Sequence, residues 1–314
     1  MRSGTASGQL RSLGARRRTF RRRRSINPRT VRYGSVSVAI VPRVLHGCLS
    51  LMTKPPDRSA STSCTGCNEA SDLGFDFTFA FQPIVDVDAR RVFSYEALVR
   101  GCNGEGAFWV LDQINERNRY SFDQACRRKA LTLAARLRIE TYININFMPN
   151  AVYRPELCIR STLAAARHLK FPIERIMFEV SEGEQMTSPD HLVAIFKEYR
   201  RLGITTAIDD FGAGYSGLNL LADYQPDYIK LDLKLIRNVD SERTRQAIVR
   251  AIVSVCRELD IAIIAEGIEY PAEATWLRHA GVRLFQGYLF ARPAFEALPA
   301  VAFEPLTNSA VSAA

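Results

Sequence analysis

The feature that most constrains the fold is a repeated pattern in which a short apolar run ends in an acidic, amide or lysine side chain. The clearest case is residues 208–217 (IDDFGAGYSG), where two adjacent carboxylates precede a glycine-rich loop. The pattern recurs at intervals of 20 to 50 residues, with run ends at Glu96, Asn146, Glu179, Asp209, Lys230, Glu266 and Gln286. Most intervals have room for one helix and the next strand, which predicts a TIM-like (β/α)8 barrel with these side chains in one cleft.

Local patterns supply the elements of that barrel. Strand-like runs at 77–87 and 92–100 flank a polar turn and predict an opening hairpin, which leaves open an antiparallel first strand. Apolar runs predict further strands at 142–147, 176–180, 205–209, 228–231, 262–265 and 283–285. Helical periodicity predicts helices at 107–118, 122–137, 161–169 and 241–259, and another beginning near 188–190.

Charge divides the chain into unequal parts. Residues 1–52 contain twelve arginines, no lysine and no acid, so the remainder carries +9 − 12 = −3. We predict a disordered Arg-rich tail and linker at 1–71, a folded domain at 72–306 and a disordered C-terminal tail at 307–314. We favour a solvated tail over nucleic-acid binding. The sequence leaves open whether synthesis starts at Met1 or Met52.

The remaining composition indicates a cytoplasmic protein. No stretch is apolar enough to predict a membrane span. The seven cysteines are an odd, scattered set, which is typical of a reducing compartment. Cys64 and Cys67 form one CxxC pair without the second pair that a zinc site needs, so we interpret them as an incidental or weakly regulatory pair.

The strand ends predict a metal site. Side chains two apart on a strand share a face, so the polar ends are in phase with inward-facing positions. Five carboxylates would share the cleft, and Lys230 is the only cation at these strand ends. The mutual repulsion of the five carboxylates would reach roughly 20 kcal/mol, which exceeds a typical domain stability of about 5–15 kcal/mol. Divalent cations relieve this repulsion, and all-oxygen ligands select Mg²⁺ or Mn²⁺ over zinc.

Such a site suits hydrolysis of a phosphate ester. The adjacent pair Asp209 and Asp210 is typical of two metal ions that share one oxygen ligand. Arg100 lies on the same strand face as Glu96, where it would either clamp a second phosphate or form an ordinary salt bridge with a neighbouring acid. The four histidines all lie away from the strand ends, so we expect no histidine in the chemistry.

Several motifs occur together in an order that resembles a known family. They are EALVRG at 96–101, FQPIV at 81–85, INFMP at 145–149, FEVSE at 178–182, the DDFGAGYSG loop, IKLD at 229–232, AEGIE at 265–269 and QGYLF at 286–290. Over about 75–305 the chain resembles the EAL-domain cyclic di-GMP phosphodiesterases. The Val180-Ser181 pair departs from the usual Leu-Thr or Ile-Thr, and this removes no ligand.

The resemblance implies a role for each matching residue. The implied ligands of one metal are Glu96, Asn146, Glu179 and Asp209, and those of the second are Asp209, Asp210 and Glu266. Catalytic roles are implied for Lys230, which activates or orients water, for Glu266, for Gln286 and for Glu182, which braces the DDFG loop. Substrate contacts are implied for Gln82, Glu96, Leu98, Arg100, Asp232 and Tyr288.

The resemblance also implies the reaction and partners. Two divalent cations, Mg²⁺ or Mn²⁺, would support opening of cyclic di-GMP to linear pGpG, whereas Ca²⁺ is expected to inhibit. A homodimer is implied through the DDFG loop and the following helix, 215–221. The alternative is a non-catalytic EAL domain that binds cyclic di-GMP or a protein partner, and such a domain is expected to lack a metal ligand or the lysine.

Overall fold

The computed structural model describes residues 73–183, 189–214 and 217–303. The predictions for the two tails, for Cys64 and Cys67, and for Tyr215 fall outside these residues. Within them the main architecture is a closed β-barrel surrounded by helices.

The barrel opens with the predicted hairpin. Strand β1 (Phe77–Asp86) pairs antiparallel with β2 (Arg91–Gly101) along its whole length. The turn between them is stabilised by the Asp86 side chain, whose Oδ1 accepts hydrogen bonds from the backbone N–H groups of Asp88 and Ala89. This local bonding stabilises the turn that sets the register of the hairpin.

The remaining barrel strands follow β2 in parallel. They are β3 (Tyr142–Asn146), β4 (Ile176–Ser181), β5 (Thr205–Phe211), β6 (Tyr228–Leu231), β7 (Ala262–Ala265) and β8 (Leu284–Gln286). Strand β8 returns to pair antiparallel with β1, which closes eight strands into a barrel. A short ninth strand, β9 (Ala294–Phe295), also pairs with β1. The predicted barrel is confirmed, and its first strand runs against the others.

Helices connect successive strands. They are α1 (Ala107–Leu111), α2 (Arg119–Arg136), α3 (Pro155–Cys158), α4 (Arg160–Leu169), α5 (Pro189–Arg201), α6 (Gly217–Asp223), α7 (Leu233–Ile236), α8 (Arg243–Glu258) and α9 (Pro271–Ala280).

The helix predicted at 107–118 is too long, since α1 ends at Leu111. The Asn118 side chain donates to the Gln113 carbonyl and accepts from the Asn115 N–H. These local bonds stabilise a turn where the periodicity predicted helix.

Aromatic packing holds the helices on the barrel. Phe178 of β4 and Tyr199 of α5 are fully buried, with ring centroids 5.0 Å apart. The guanidinium of Arg127, on α2, lies 4.7 Å from the Phe178 ring centroid and forms an ion pair with Asp123 at 2.8 Å. No helix in the described part of the chain is long and apolar enough to cross a bilayer.

Candidate metal and phosphoester site

Two groups of carboxylates meet at the rim where the parallel strands end. Glu96, Glu179 and Asp209 form the first group, and Asp209, Asp210 and Glu266 form the second. Within each group, one oxygen of every member lies within 4.8 Å of the others. Asp209 belongs to both groups, so the two lie side by side.

Strand register explains why residues distant in sequence converge. Asn146 at the end of β3 lies beside Glu179 of β4, because these parallel strands pair in that register. The Asn146 amide donates to Oε1 of Glu96 at 2.9 Å, which links β3 back to β2. Three neighbouring strands therefore contribute one polar side chain each to the same edge.

Asp209 and Asp210 reach the same rim through an irregularity in β5. Adjacent residues of a regular strand point to opposite faces. The pairing of β5 with β6 shifts register between Ile208 and Phe211, and Asp210 has a left-handed backbone with φ of 55°. Asp210 also donates its backbone N–H to Oδ1 of Asp209. The bulge turns both carboxylates toward the cleft, which strand alternation alone did not predict.

Lys230 lies between the carboxylates. Its side chain is fully buried, and its Nζ lies 2.6 Å from Glu266, 2.9 Å from Glu179, 3.1 Å from Asp209 and 3.2 Å from Glu96. Burial alone would lower the pKa of Lys230, but the four carboxylates outweigh it and raise that pKa well above its usual value.

One lysine does not neutralise the cluster. Burial raises the pKa of Glu179 to about 8 although Lys230 lowers it, and the charges of Glu96 and Asp209 raise it further. Burial and the charge of Asp209 also raise the pKa of Glu266 well above its usual value. These shifts reflect an excess of negative charge in a desolvated cleft, and the donors are carboxylate and amide oxygens. Both properties fit divalent metal ions.

Two glutamines complete the inner wall. The Gln286 amide donates to Oε2 of Glu96 at 2.7 Å and to Oε1 of Gln82 at 3.2 Å. Gln82 in turn donates to the Ala291 carbonyl at 3.2 Å. Gln82 lies in the middle of β1. It is opposite Glu96 because β1 and β2 pair antiparallel in that register.

Glu182 braces the loop that follows the aspartate pair. Its Oε2 accepts hydrogen bonds from the backbone N–H groups of Gly212 at 2.7 Å and Gly214 at 3.4 Å. These two hydrogen bonds tie the end of β4 to the loop after β5, so the two acidic strand ends are fixed relative to each other.

Arg100 and Tyr288 line a pocket of about 660 Å³. Arg292 lines it too, and its guanidinium lies 4.1 Å from the Tyr288 ring centroid. Leu98 is half-buried and lies between Glu96 and Arg100 on the same strand face. Asp232 is buried at the start of α7, where its Oδ1 accepts from the Lys234 N–H at 2.9 Å as a helix N-cap.

Sequence reasoning missed three residues at this site. Asn144 is fully buried and donates to Glu179, Ser181 donates to Asp210, and Arg292 stacks on Tyr288. The signal for Asn144 was its position two residues before Asn146 on the same strand face. Ser181 directly follows the predicted strand 176–180, whereas Arg292 follows no predicted strand.

Comparison with known proteins identifies the class. The EAL domain family matches residues 69–293 of this 314-residue chain. This chain belongs to the EAL domain family, as its motifs predicted.

A solved structure of a standalone versatile EAL protein from Vibrio cholerae O395, in its c-di-GMP bound form, is 52% identical with a TM-score of 0.73. The match covers 74% of this chain and 99% of the Vibrio cholerae chain. The blue light- and temperature-regulated antirepressor BluF of Escherichia coli K12 is 34% identical over 72% of this chain and 56% of BluF.

The cyclic di-GMP phosphodiesterase NbdA of Pseudomonas aeruginosa is 31% identical over 71% of this chain and 29% of NbdA. The chain thus spans about half or less of the length of these two curated relatives.

Proposed function

We propose that this domain is a metal-dependent phosphodiesterase that hydrolyses cyclic di-GMP to linear pGpG. The observation that carries the proposal is the pair of carboxylate groups that share Asp209 and surround Lys230. The NbdA relative is named a cyclic di-GMP phosphodiesterase, and the Vibrio cholerae relative was solved with c-di-GMP. Both names are consistent with the chemistry of this cleft.

The chain offers a complete ligand set for two cations. Glu96, Asn146, Glu179 and Asp209 would hold one ion, and Asp209, Asp210 and Glu266 would hold the other. Oxygen ligands favour Mg²⁺ or Mn²⁺. When bound, such ions lower the pKa of water and neutralise charge on phosphoryl oxygens.

Lys230 is suited to orient the attacking water. Its Nζ lies within 3.2 Å of four acidic side chains, where an ammonium would donate hydrogen bonds to a nearby water. A cation held there also stabilises negative charge that develops during displacement at phosphorus. Gln286 supports this arrangement, since its amide holds Oε2 of Glu96, the oxygen that Lys230 also contacts.

The substrate would lie across the rim. Arg100, at the pocket, is placed to bind a phosphate through its guanidinium, and Tyr288 offers an aromatic face to a guanine base. Gln82, Glu96 and Leu98 line the strand face beside them. Asp232 already caps α7, so we assign it a contact through its second carboxylate oxygen. Glu182 holds the DDFG loop against this surface.

A non-catalytic role is the second candidate, because BluF, which is 34% identical, is named an antirepressor. The presence of every candidate ligand and of Lys230 favours catalysis over this role. We also propose the homodimer through the DDFG loop and the following helix as the assembly in which either role operates.

One assay separates the two candidates. The full chain is incubated with cyclic di-GMP and Mg²⁺ or Mn²⁺, and the products are resolved by chromatography. We expect linear pGpG, little product with Ca²⁺, and none from the isosteric variant Glu96→Gln. If the chain binds cyclic di-GMP but forms no pGpG with Mg²⁺, with Mn²⁺ or with Ca²⁺, the non-catalytic role is established.

A further inference from the structure

Asn144 is a fully buried amide inside the barrel, one layer below the acidic rim. Strand register places it between Glu96 of β2 and Met177 of β4. Its Nδ2 donates to Oε1 of Glu179 and lies 3.2 Å from the Met177 sulfur. Asn144 thus contacts one of the candidate ligands directly from beneath.

The contact determines how the Glu179 carboxylate is oriented. Glu179 is fully buried, so bulk water does not compete for its oxygens. Asn144 holds Oε1, and Lys230 holds Oε2 at 2.9 Å. With Oε1 fixed from below, Oε2 faces the centre of the cleft, on the side of Lys230.

We propose that Asn144 is a positioning residue that fixes the Glu179 carboxylate for divalent metal binding. This inference rests on the proposed function, since it takes Glu179 as a metal ligand. A side chain beneath a ligand carboxylate that donates a hydrogen bond restricts its rotation and so favours the bound geometry.

The chemistry of the amide argues against a merely space-filling role. Among the described residues, Asn144 Oδ1 has no hydrogen-bond partner although it is buried. An apolar side chain of the same size would fill the space without an unpaired oxygen. An aspartate would place another carboxylate beside Glu179. Only an amide of this shape supplies a neutral N–H donor at that position.

The test is the affinity of the full chain for Mn²⁺ alone, measured by isothermal titration calorimetry without nucleotide. Asn144→Leu removes the donor and keeps the volume. We expect its Mn²⁺ affinity to fall by about 10- to 100-fold, which is the range for loss of a group that orients a ligand. An affinity within about twofold of the unchanged chain would overturn the proposal.

A matched control excludes a general effect of losing a buried polar group. Ser94 is fully buried on β2, and its hydroxyl has no partner among the described residues. Ser94→Ala should bind Mn²⁺ like the unchanged chain. If the leucine variant does not melt cooperatively, Asn144→Ala, which adds no bulk, gives the same comparison, and normal Mn²⁺ affinity in that variant would equally overturn the proposal.

A double-mutant cycle shows whether Asn144 acts through Glu179. In a Glu179→Ala background, Asn144→Leu should change the remaining Mn²⁺ affinity by less than about twofold, because the ligand it orients is already gone. An additive loss would show a structural role instead. If the unchanged chain hydrolyses cyclic di-GMP with Mn²⁺ while Asn144→Leu binds Mn²⁺ normally, this inference alone fails. A chain that binds no Mn²⁺ overturns both.

Discussion

At the scale of single residues, Lys230 is the group on which the charge balance of the cleft depends. Its ammonium contacts four carboxylates within 3.2 Å in a fully buried position. Removing one partner of a buried ion pair typically costs about 3–5 kcal/mol, because the other charge stays desolvated and unpaired. The lysine therefore stabilises the metal-free cleft and, on the proposed function, also acts in the reaction.

Lys230→Met separates these two effects, since methionine keeps most of the volume. We expect kcat for cyclic di-GMP to fall by about 100-fold or more, while KM changes little, because the lost charge acts mainly in the transition state. The melting temperature of the metal-free protein should also fall, and Mg²⁺ should restore part of it. Steady-state kinetics and thermal melts measure both, and an unchanged kcat would contradict a role for Lys230 in the chemical step.

At the scale of elements, the close contact between the ends of β7 and β8 holds two of the candidate residues. Gly287 follows β8 and packs against the loop after β7, so that a Cβ there would lie 2.1 Å from the Ile268 carbonyl oxygen and 2.3 Å from its nitrogen. These are backbone atoms and do not rotate away. Only glycine lets the backbone after Gln286 approach Ile268, two residues after Glu266, this closely.

Gly287→Ala should separate these strand ends, lower stability by about 1–3 kcal/mol and reduce hydrolysis by disturbing Gln286. Gly106→Ala is the matched control, since a Cβ at Gly106 meets nothing within 4 Å and its φ of −68° is ordinary. The control should stay within about 0.5 kcal/mol of the unchanged chain. Equal urea-unfolding midpoints for the two variants would refute the close-contact argument.

Strand ends were predictable from sequence because they combine apolar runs with polar chemistry. The strands at 228–231 and 262–265 have the bounds that their apolar runs predicted. The left-handed Asp210 and the bulge beside it were not predictable, since they depend on the pairing of β5 with β6. The contact from Asn144 depends in the same way on neighbouring strands, whose register no local pattern reveals.

At the scale of the whole molecule, closure of the barrel by an antiparallel strand completes the site. β1 pairs with both β2 and β8, so Gln82 contacts Gln286 across the seam. Every candidate ligand lies between residues 96 and 266, inside the described part of the chain. The twelve arginines of residues 1–52 lie outside it.

A variant lacking residues 1–52 should therefore keep its Mg²⁺-dependent hydrolysis of cyclic di-GMP within about twofold of the full chain, because the barrel and all ligands remain. Parallel assays of both forms at equal concentration measure this. The Glu96→Gln version of the shortened chain provides the inactive control. A shortened chain that folds but does not hydrolyse the nucleotide would show that the Arg-rich segment takes part in activity.

Asp209 belongs to both carboxylate groups, and this sharing has a thermodynamic consequence. On the proposed function, an ion in one group would alter the charge and orientation of a carboxylate that the other group also needs. The two occupancies are then a linked equilibrium, in which each ion changes the affinity for the other by the same factor. A metal titration of this domain would report that joint equilibrium and not two independent dissociation constants.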